Sequence, residues 1–285
     1  MKKVLFATTA LVATAGVAAA DVSLSGSAGA GLFYDNTSDT TDVYNSVTLD
    51  VTFSGESDNG LSFGATMDAT VGTDLDIGEV GTDEFDTPGA VNAAEDGNFG
   101  LGSIFISGEF GTLTFDRDGL DNAYDDDFHH DFSYEYGVDG FDLFLSYNVD
   151  GTSGAGELWS LAVSYDAEPI SAFLETDDSN ELHLGAAYDV TPELNLGLEY
   201  ETDGEVTTLT AAYDAGMVSF GVEANSDDEW GLDLGYSANG VSVDLSTDEN
   251  TEWEAIGAYD LGGGLEIVGG TAHTGNWYLG AAMSF

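Results

Sequence analysis

The feature that most constrains the fold is a repeat in which a tyrosine is followed by a short polar turn. The spacings between successive tyrosines are 29, 23, 25, 23 and 23 residues, and the chain ends 26 residues after the last one, on Phe285. Each interval holds two alternating apolar and polar runs, long enough for tilted strands to cross a bilayer. An aromatic at one end of every hairpin predicts the interfacial girdle of a transmembrane antiparallel β-barrel. The repeated residues are Tyr136, Tyr165, Tyr188, Tyr213, Tyr236 and Tyr259.

The first twenty residues predict a cleaved export signal. Met1-Lys2-Lys3 is basic, an apolar run follows, and Ala18-Ala19-Ala20 supplies a small-residue cleavage site before Asp21. The apolar run is too short and too rich in Ala and Thr for a transmembrane helix, and no later stretch is long enough for one. We therefore expect residues 21–285 to form one exported barrel domain, in the outer membrane of a Gram-negative bacterium.

The charge of the predicted mature chain excludes several classes of partner. After residue 20 the chain has one basic residue, Arg117, against 54 acidic residues, a net charge of −53. Nucleic acids and anionic lipid surfaces are poor partners for such a chain. Acidity of this kind often indicates disorder. Here 42% of the residues are hydrophobic, and they alternate with period two, which favours a folded β protein.

Alternation also predicts which side chains face lipid and which face the lumen. In one typical strand, Leu194, Leu196, Leu198 and Tyr200 alternate with Asn195, Gly197, Glu199 and Glu201. A soluble β-sandwich alternates as well. Aromatics at both strand ends and acids in mid-strand favour a barrel with a wet lumen. The acids that we predict on the pore wall are Asp50, Asp68, Asp142, Glu199, Glu223, Asp233 and Asp244.

Turn-forming segments predict the number of strands. Eight short turns fall near residues 55–60, 108–111, 137–140, 166–169, 189–193, 214–216, 237–240 and 260–263. With both termini on the side of these turns, they imply nine hairpins and eighteen strands. The segments Leu113–Phe115 and Phe132–Tyr136 alternate least clearly, so sixteen strands stay open. Gly72–Asn98 and Arg117–Asp131 are predicted to be long loops. A barrel of this width leaves an aqueous channel.

Several segments are similar to one known family. They are the opening strand Val22–Gly26, the hairpin Leu49–Ala65, the turn Ile104–Gly111 and the closing segment Tyr259–Gly270 before the terminal Phe285. In these segments the chain resembles the general bacterial porins, in particular the alphaproteobacterial type. The resemblance implies a homotrimeric outer-membrane pore whose third long loop folds inward as a constriction. It also implies that Phe285 is read by the barrel-assembly machinery.

The resemblance places the constriction in Arg117–Asp131. The residues that we expect there are Arg117, Asp118, Asp121, Asp125, Asp126, Asp127, His129 and His130. Acids on this loop, facing the wall acids, would favour cations; the alternative is a solvated external loop. Arg117 either points into the lumen or pairs with Asp116 or Asp118. The sequence departs from the family in its eighteen predicted strands and in lacking the basic wall cluster that often opposes the acidic loop.

No cofactor or catalytic motif is predicted. His129 and His130 lie beside acids, but adjacent histidines on an extended chain point apart and no second pair accompanies them. Calcium bound between loops suits dense carboxylates better. No nucleophile elbow, P-loop or dinucleotide-binding glycine motif is present, so we predict that the chain is not an enzyme. We expect a cation-preferring diffusion porin for small hydrophilic solutes. The alternatives are a substrate-specific channel, with aromatics such as Phe144 or Tyr124 lining the path, and a structural or adhesive barrel with a plugged lumen.

Overall fold

Antiparallel strands build almost the whole of the described structure. The computed structural model describes residues 21–74, 92–93, 100–123, 129–149, 158–179 and 181–285. Within those ranges no residue is helical, and no helix there is long and apolar enough to cross a membrane. The strands are β1 Asp21–Asp35, β2 Thr40–Glu56, β3 Ser62–Asp74, β4 Asn92–Ala93, β5 Gly100–Gly108, β6 Gly111–Asp121, β7 His129–Val138, β8 Phe141–Tyr147, β9 Trp159–Ala167, β10 Ile170–Asp177, β11 Leu182–Thr191, β12 Leu194–Glu201, β13 Thr207–Asp214, β14 Val218–Asn225, β15 Trp230–Ala238, β16 Val241–Asp248, β17 Trp253–Gly262, β18 Leu265–Ala272 and β19 Trp277–Ser284.

The sheet closes into a barrel of eighteen strands. Each strand from β5 onward pairs with its neighbour in the chain, β3 pairs with both β2 and β5, and β19 pairs with β1. The two-residue β4 pairs with the end of β3 and lies outside the closed ring. Closure of the sheet leaves no strand edge with unpaired backbone N–H and C=O groups, which lipid could not hydrogen-bond. The predicted all-β barrel and the count of eighteen are confirmed, and the segments that alternate least clearly are strands β6 and β7.

All eight predicted short turns join consecutive strands at one end of the barrel. Asp139-Gly140 and Asn239-Gly240 have positive φ at both residues, as type I′ hairpin turns require. The start of β1 and the C-terminal Phe285 lie at the same end, because the amide of Gly26 donates to the carbonyl of Phe285 at 2.8 Å. The nine remaining connections lie at the opposite end, as the strand count implied.

The boundaries predicted for the two long loops are wrong. β3 continues to Asp74 and Asn92–Ala93 is a short strand, so both lie inside the predicted loop Gly72–Asn98. β6 continues to Asp121 and β7 begins at His129, so most of Arg117–Asp131 is strand. The β6–β7 register shifts between Phe115 and Leu120, which leaves three more residues on β6 than on β7. Such a bulge interrupts the alternation on which the prediction relied.

Candidate functional site

The strand register places all seven predicted wall acids on one face of the sheet. Residues directly opposite each other on neighbouring strands lie on the same face of the sheet, so the strand pairings define this face around the barrel. Examples are Asp50 opposite Asp68 and Gly221 opposite Asp233. Most of its members are acids, serines, threonines and glycines. The other face holds exposed apolar side chains such as Leu24, at 67%, as expected of a lipid-facing surface. The acid-bearing face therefore lines the barrel interior.

Glycines on neighbouring strands give most of these acids their room. A Cβ on Gly137 would lie 2.5 Å from Asp142 Oδ1, and a Cβ on Gly235 would lie 3.1 Å from Asp244 Oδ1. Similar contacts join Asp68 with Gly100, Glu199 with Gly185, Glu223 with Gly231 and Asp233 with Gly221. Each carboxylate can thus lie along the wall over bare backbone.

The end of the β6–β7 hairpin packs against the inner wall. His130, which is fully buried, has its Nδ1 2.6 Å from Ser146 Oγ on β8. Ser146 Oγ lies 2.5 Å from Ser160 Oγ on β9, and Ser160 Oγ accepts a 2.8 Å hydrogen bond from the amide of Ala123. Both serines belong to the inward face and are fully buried. The described part of this hairpin, the third connection at its end of the barrel, therefore lies in the interior.

The predicted constriction residues divide into three groups. Arg117 is exposed and lies in β6; Asp118 is also in β6, but its side chain lies outside the described residues. Asp121 is opposite His129, and Asp121 Oδ1 lies 3.6 Å from His129 Nδ1 at an exposed position. His130, which follows His129 in β7, belongs to this second group and forms the buried contact with Ser146. The third group, Asp125, Asp126 and Asp127, lies outside the described residues.

The sequence analysis missed a cluster centred on His183. Its imidazole lies within 3.6 Å of three glutamate side chains from the two flanking strands. Alternation along β11 and β12 predicts which face of the sheet His183 and Glu199 lie on. Only the register of β10–β12 shows that the two side chains are neighbours. Three inward aromatics were also missed: Phe33, Tyr44 and Tyr278 form a buried cluster, each no more than 4% exposed.

Metal binding receives no geometric support from the described residues. Among them, no group of three or more His, Cys, Asp or Glu side chains is arranged to hold a metal ion. Calcium bound between loops remains a prediction, because the densest acids, Asp125–Asp127, fall in the part of the chain that is not described.

Comparison with known proteins supports the resemblance to porins. Residues 7–142 match a family model described as Gram-negative porin. A triple mutant of the Rhodopseudomonas blastica porin is similar to this chain, with 15% sequence identity and a TM-score of 0.54. The structural alignment covers 93% of this chain and 100% of that chain. Another variant of the same porin aligns over the same fractions of the two chains, with 16% sequence identity and a TM-score of 0.55. No curated protein is significantly similar in sequence. The fold is that of the porins.

Proposed function

We propose that this chain, whose family match and fold are those of Gram-negative porins, forms a water-filled diffusion channel that prefers cations. The observation that carries the proposal is the inward row of seven acids in a chain with one arginine and no lysine after residue 20. Carboxylates that line a pore attract cations and repel anions. Passage is passive: the barrel width and the inward hairpin limit solute size, and the wall acids set charge preference.

The inward hairpin supports a constriction of the lumen, close to the ends of β8 and β9 where Ser146 and Ser160 lie. Its described part brings Asp121 and His129 to the hairpin end, held by the contacts of Ala123 and His130. We predict that Asp118 and Asp125–Asp127 belong to the same constriction. Arg117, exposed in β6, would add a single positive charge beside the acids.

A substrate-specific channel is less well supported. A binding path for sugars would need a row of aromatic faces open to the lumen. Phe33, Tyr44 and Tyr278 point inward but are buried against the wall; a Cβ on Gly270, for instance, would lie 2.5 Å from Tyr278 Cε1. Phe105, Phe144 and Phe173 also lie on the inward face, but on the non-adjacent strands β5, β8 and β10, so they do not form a row. Tyr124 lies outside the described residues.

Delivery and assembly follow from the same proposal. The export signal at residues 1–20 would be cleaved, and the barrel-assembly machinery would read Phe285, whose main-chain N–H and C=O pair with Gly26. The exposed apolar outer face would contact lipid and two further copies in a homotrimer. No resident cofactor is proposed apart from calcium between the acidic loops. Equilibrium dialysis tests this site: no retention of calcium at millimolar concentration would exclude it.

The proposal is tested by the zero-current potential of the purified protein in a planar bilayer under a tenfold KCl gradient. Stepwise conductance with a potential close to the potassium limit is expected. Discrete channels without cation preference would contradict the role given to the wall acids. The complete absence of conductance would contradict the channel itself and favour a plugged structural barrel.

A further inference from the structure

Glu254, near the start of β17, is a buried acid on the inner wall of the barrel. It is 5% exposed, and its Oε1 has no hydrogen-bond partner among the described residues. An ionised carboxylate that is buried alone is very unfavourable, so such groups are paired, bound to a cation or protonated. Glu254 therefore needs a positive charge or a donor that the described side chains do not supply.

Two hydroxyl groups next to Glu254 are buried without partners in the same way. Ser246 lies directly opposite Glu254 on β16, and its Oγ has no hydrogen-bond partner among the described residues. Side chains opposite each other on neighbouring strands have Cβ atoms about 5 Å apart. On the other side of Glu254, the Tyr278 ring extends from β19 over Gly270 of β18, where a Cβ would lie 2.8 Å from the tyrosine hydroxyl oxygen.

The Tyr278 hydroxyl lies on the side of its strand that faces Glu254. Gly270, which the ring covers, is opposite Ile256, two residues from Glu254 on the same face of β17. Tyr278 is 2% exposed, its hydroxyl has no hydrogen-bond partner among the described residues, and Glu254 is close enough to interact with it electrostatically. Tyr44, which is equally buried, lies next in the cluster, and its hydroxyl also lacks a partner among the described residues.

The negative charge at this position belongs to Glu254 alone. The nearest wall acid along the row is Asp233, opposite Ser246 on β15. Its carboxylate turns away from Ser246, because a Cβ on Gly221 of β14 would lie 3.2 Å from Asp233 Oδ2. Calcium prefers six to eight oxygen ligands with several carboxylates, and zinc prefers nitrogen and sulfur ligands. One carboxylate among neutral hydroxyl oxygens instead matches the single charge of an alkali-metal ion.

We propose that Glu254, Ser246 and Tyr278 form a binding site for a monovalent metal cation, such as K⁺ or Na⁺, in the wall of the barrel. Glu254 supplies the charge, and the two hydroxyl oxygens coordinate the ion through their lone pairs. The ion exchanges with the salt solution in the lumen. Because it contacts side chains from β16, β17 and β19, it stabilises the folded barrel. The site goes beyond the proposed function and does not rest on it.

The first test compares the unfolding temperature of the purified barrel in KCl and in N-methylglucamine chloride at equal ionic strength. The organic cation has the same charge but is too large to enter between the three side chains. A ligand at ten times its dissociation constant increases the ratio of folded to unfolded protein about tenfold. The wild type should therefore unfold about 3–6 °C higher in KCl.

Three variants locate the effect of potassium. E254Q should abolish the difference between the two salts, and Y278F, which keeps the ring over Gly270, should reduce it. D233N is the matched control, because it removes an acid of the same wall row whose carboxylate is turned away from Ser246. D233N should keep the full difference. In crystals soaked in RbCl, the anomalous signal of Rb⁺ should lie beside Glu254 Oε1 and be missing in E254Q.

Three results would overturn the site. Equal unfolding temperatures of the wild type in the two salts would mean that Glu254 is neutralised by a proton and not by a metal cation. A difference that E254Q retains would mean that K⁺ binds elsewhere, as would an Rb⁺ signal confined to other acids. The wild-type comparison needs no substitution, so a variant that fails to fold does not remove the test. A barrel that passes these tests but conducts no ions would contradict the proposed function and leave the site standing.

Discussion

Replacing Ser160 by alanine should loosen the inward hairpin. Ser160 Oγ accepts the hydrogen bond of the Ala123 amide and lies 2.5 Å from Ser146 Oγ, which in turn contacts His130. These groups link the hairpin end to the wall of β8 and β9, beside a hydrogen bond from Asn148 Nδ2, just after β8, to the carbonyl of His129 at 3.2 Å. The substitution removes one oxygen and no other atom that packs in the wall, so the barrel itself should fold normally.

The free-energy cost of the substitution can be estimated from the hydrogen-bonding groups that lose a partner. A buried donor left without a partner costs about 1–3 kcal/mol. Water in the lumen can reach the Ala123 amide once the hairpin end moves, which places the cost of the substitution in the lower part of that range. About 1–2 kcal/mol reduces the ratio of docked to released hairpin roughly 5- to 30-fold, since 1.4 kcal/mol corresponds to a factor of ten.

Single-channel recording measures this change directly. S160A should show larger open-channel current fluctuations and a higher mean conductance than the wild type. S164A is the matched control: Ser164 lies on the same face of β9, opposite Asp142 and four residues from Ser160. If the current noise of S160A equals that of S164A, the hydrogen bonds of Ser160 do not hold the hairpin end.

Three further predictions concern the wall, a turn and the C-terminus. D244N should reduce the potassium-to-chloride permeability ratio about fourfold in dilute salt, and D227N, in the β14–β15 loop, should reduce it less; equal effects would contradict the wall assignment. G240V, at a turn residue with φ of 78°, should cost about 1–2 kcal/mol and lower the temperature at which the barrel unfolds on a denaturing gel, and an unchanged temperature would contradict this. F285S should still refold in detergent but accumulate poorly in the outer membrane; normal accumulation would exclude recognition of Phe285.

The repeat of tyrosines and turns was sufficient to predict the barrel. Its eight turn segments locate all eight short connections, and residues such as Asn239 and Gly240 adopt the positive φ that their turn type requires. Alternation assigned all seven wall acids to one face because a strand has a side-chain period of two. Local signals of this kind need no knowledge of contacts between distant segments.

The His183 cluster could not be predicted, because a bulge sets its register. β11 and β12 are joined through Thr191 opposite Leu194, and continuing that register would place His183 opposite Thr202. The shift between Asp189 and Thr191 moves the pairing by one residue and brings His183 opposite Glu201. A slip of one residue reverses the face of every side chain. The docking of His130 depends in the same way on the bulge in β6.

The placement of the acids bears on why the chain is so acidic. Adaptation to a saline habitat would require charge on surfaces that face bulk solvent, where it supports solubility. The loops alone could supply that charge. Asp142 and Asp244 instead lie in strands on the inner wall, each against a glycine whose missing side chain makes room for the carboxylate. Charges in a narrow lumen with low-dielectric walls act on every ion that passes. In the channel that we propose, these acids would therefore act on permeating ions whatever the habitat.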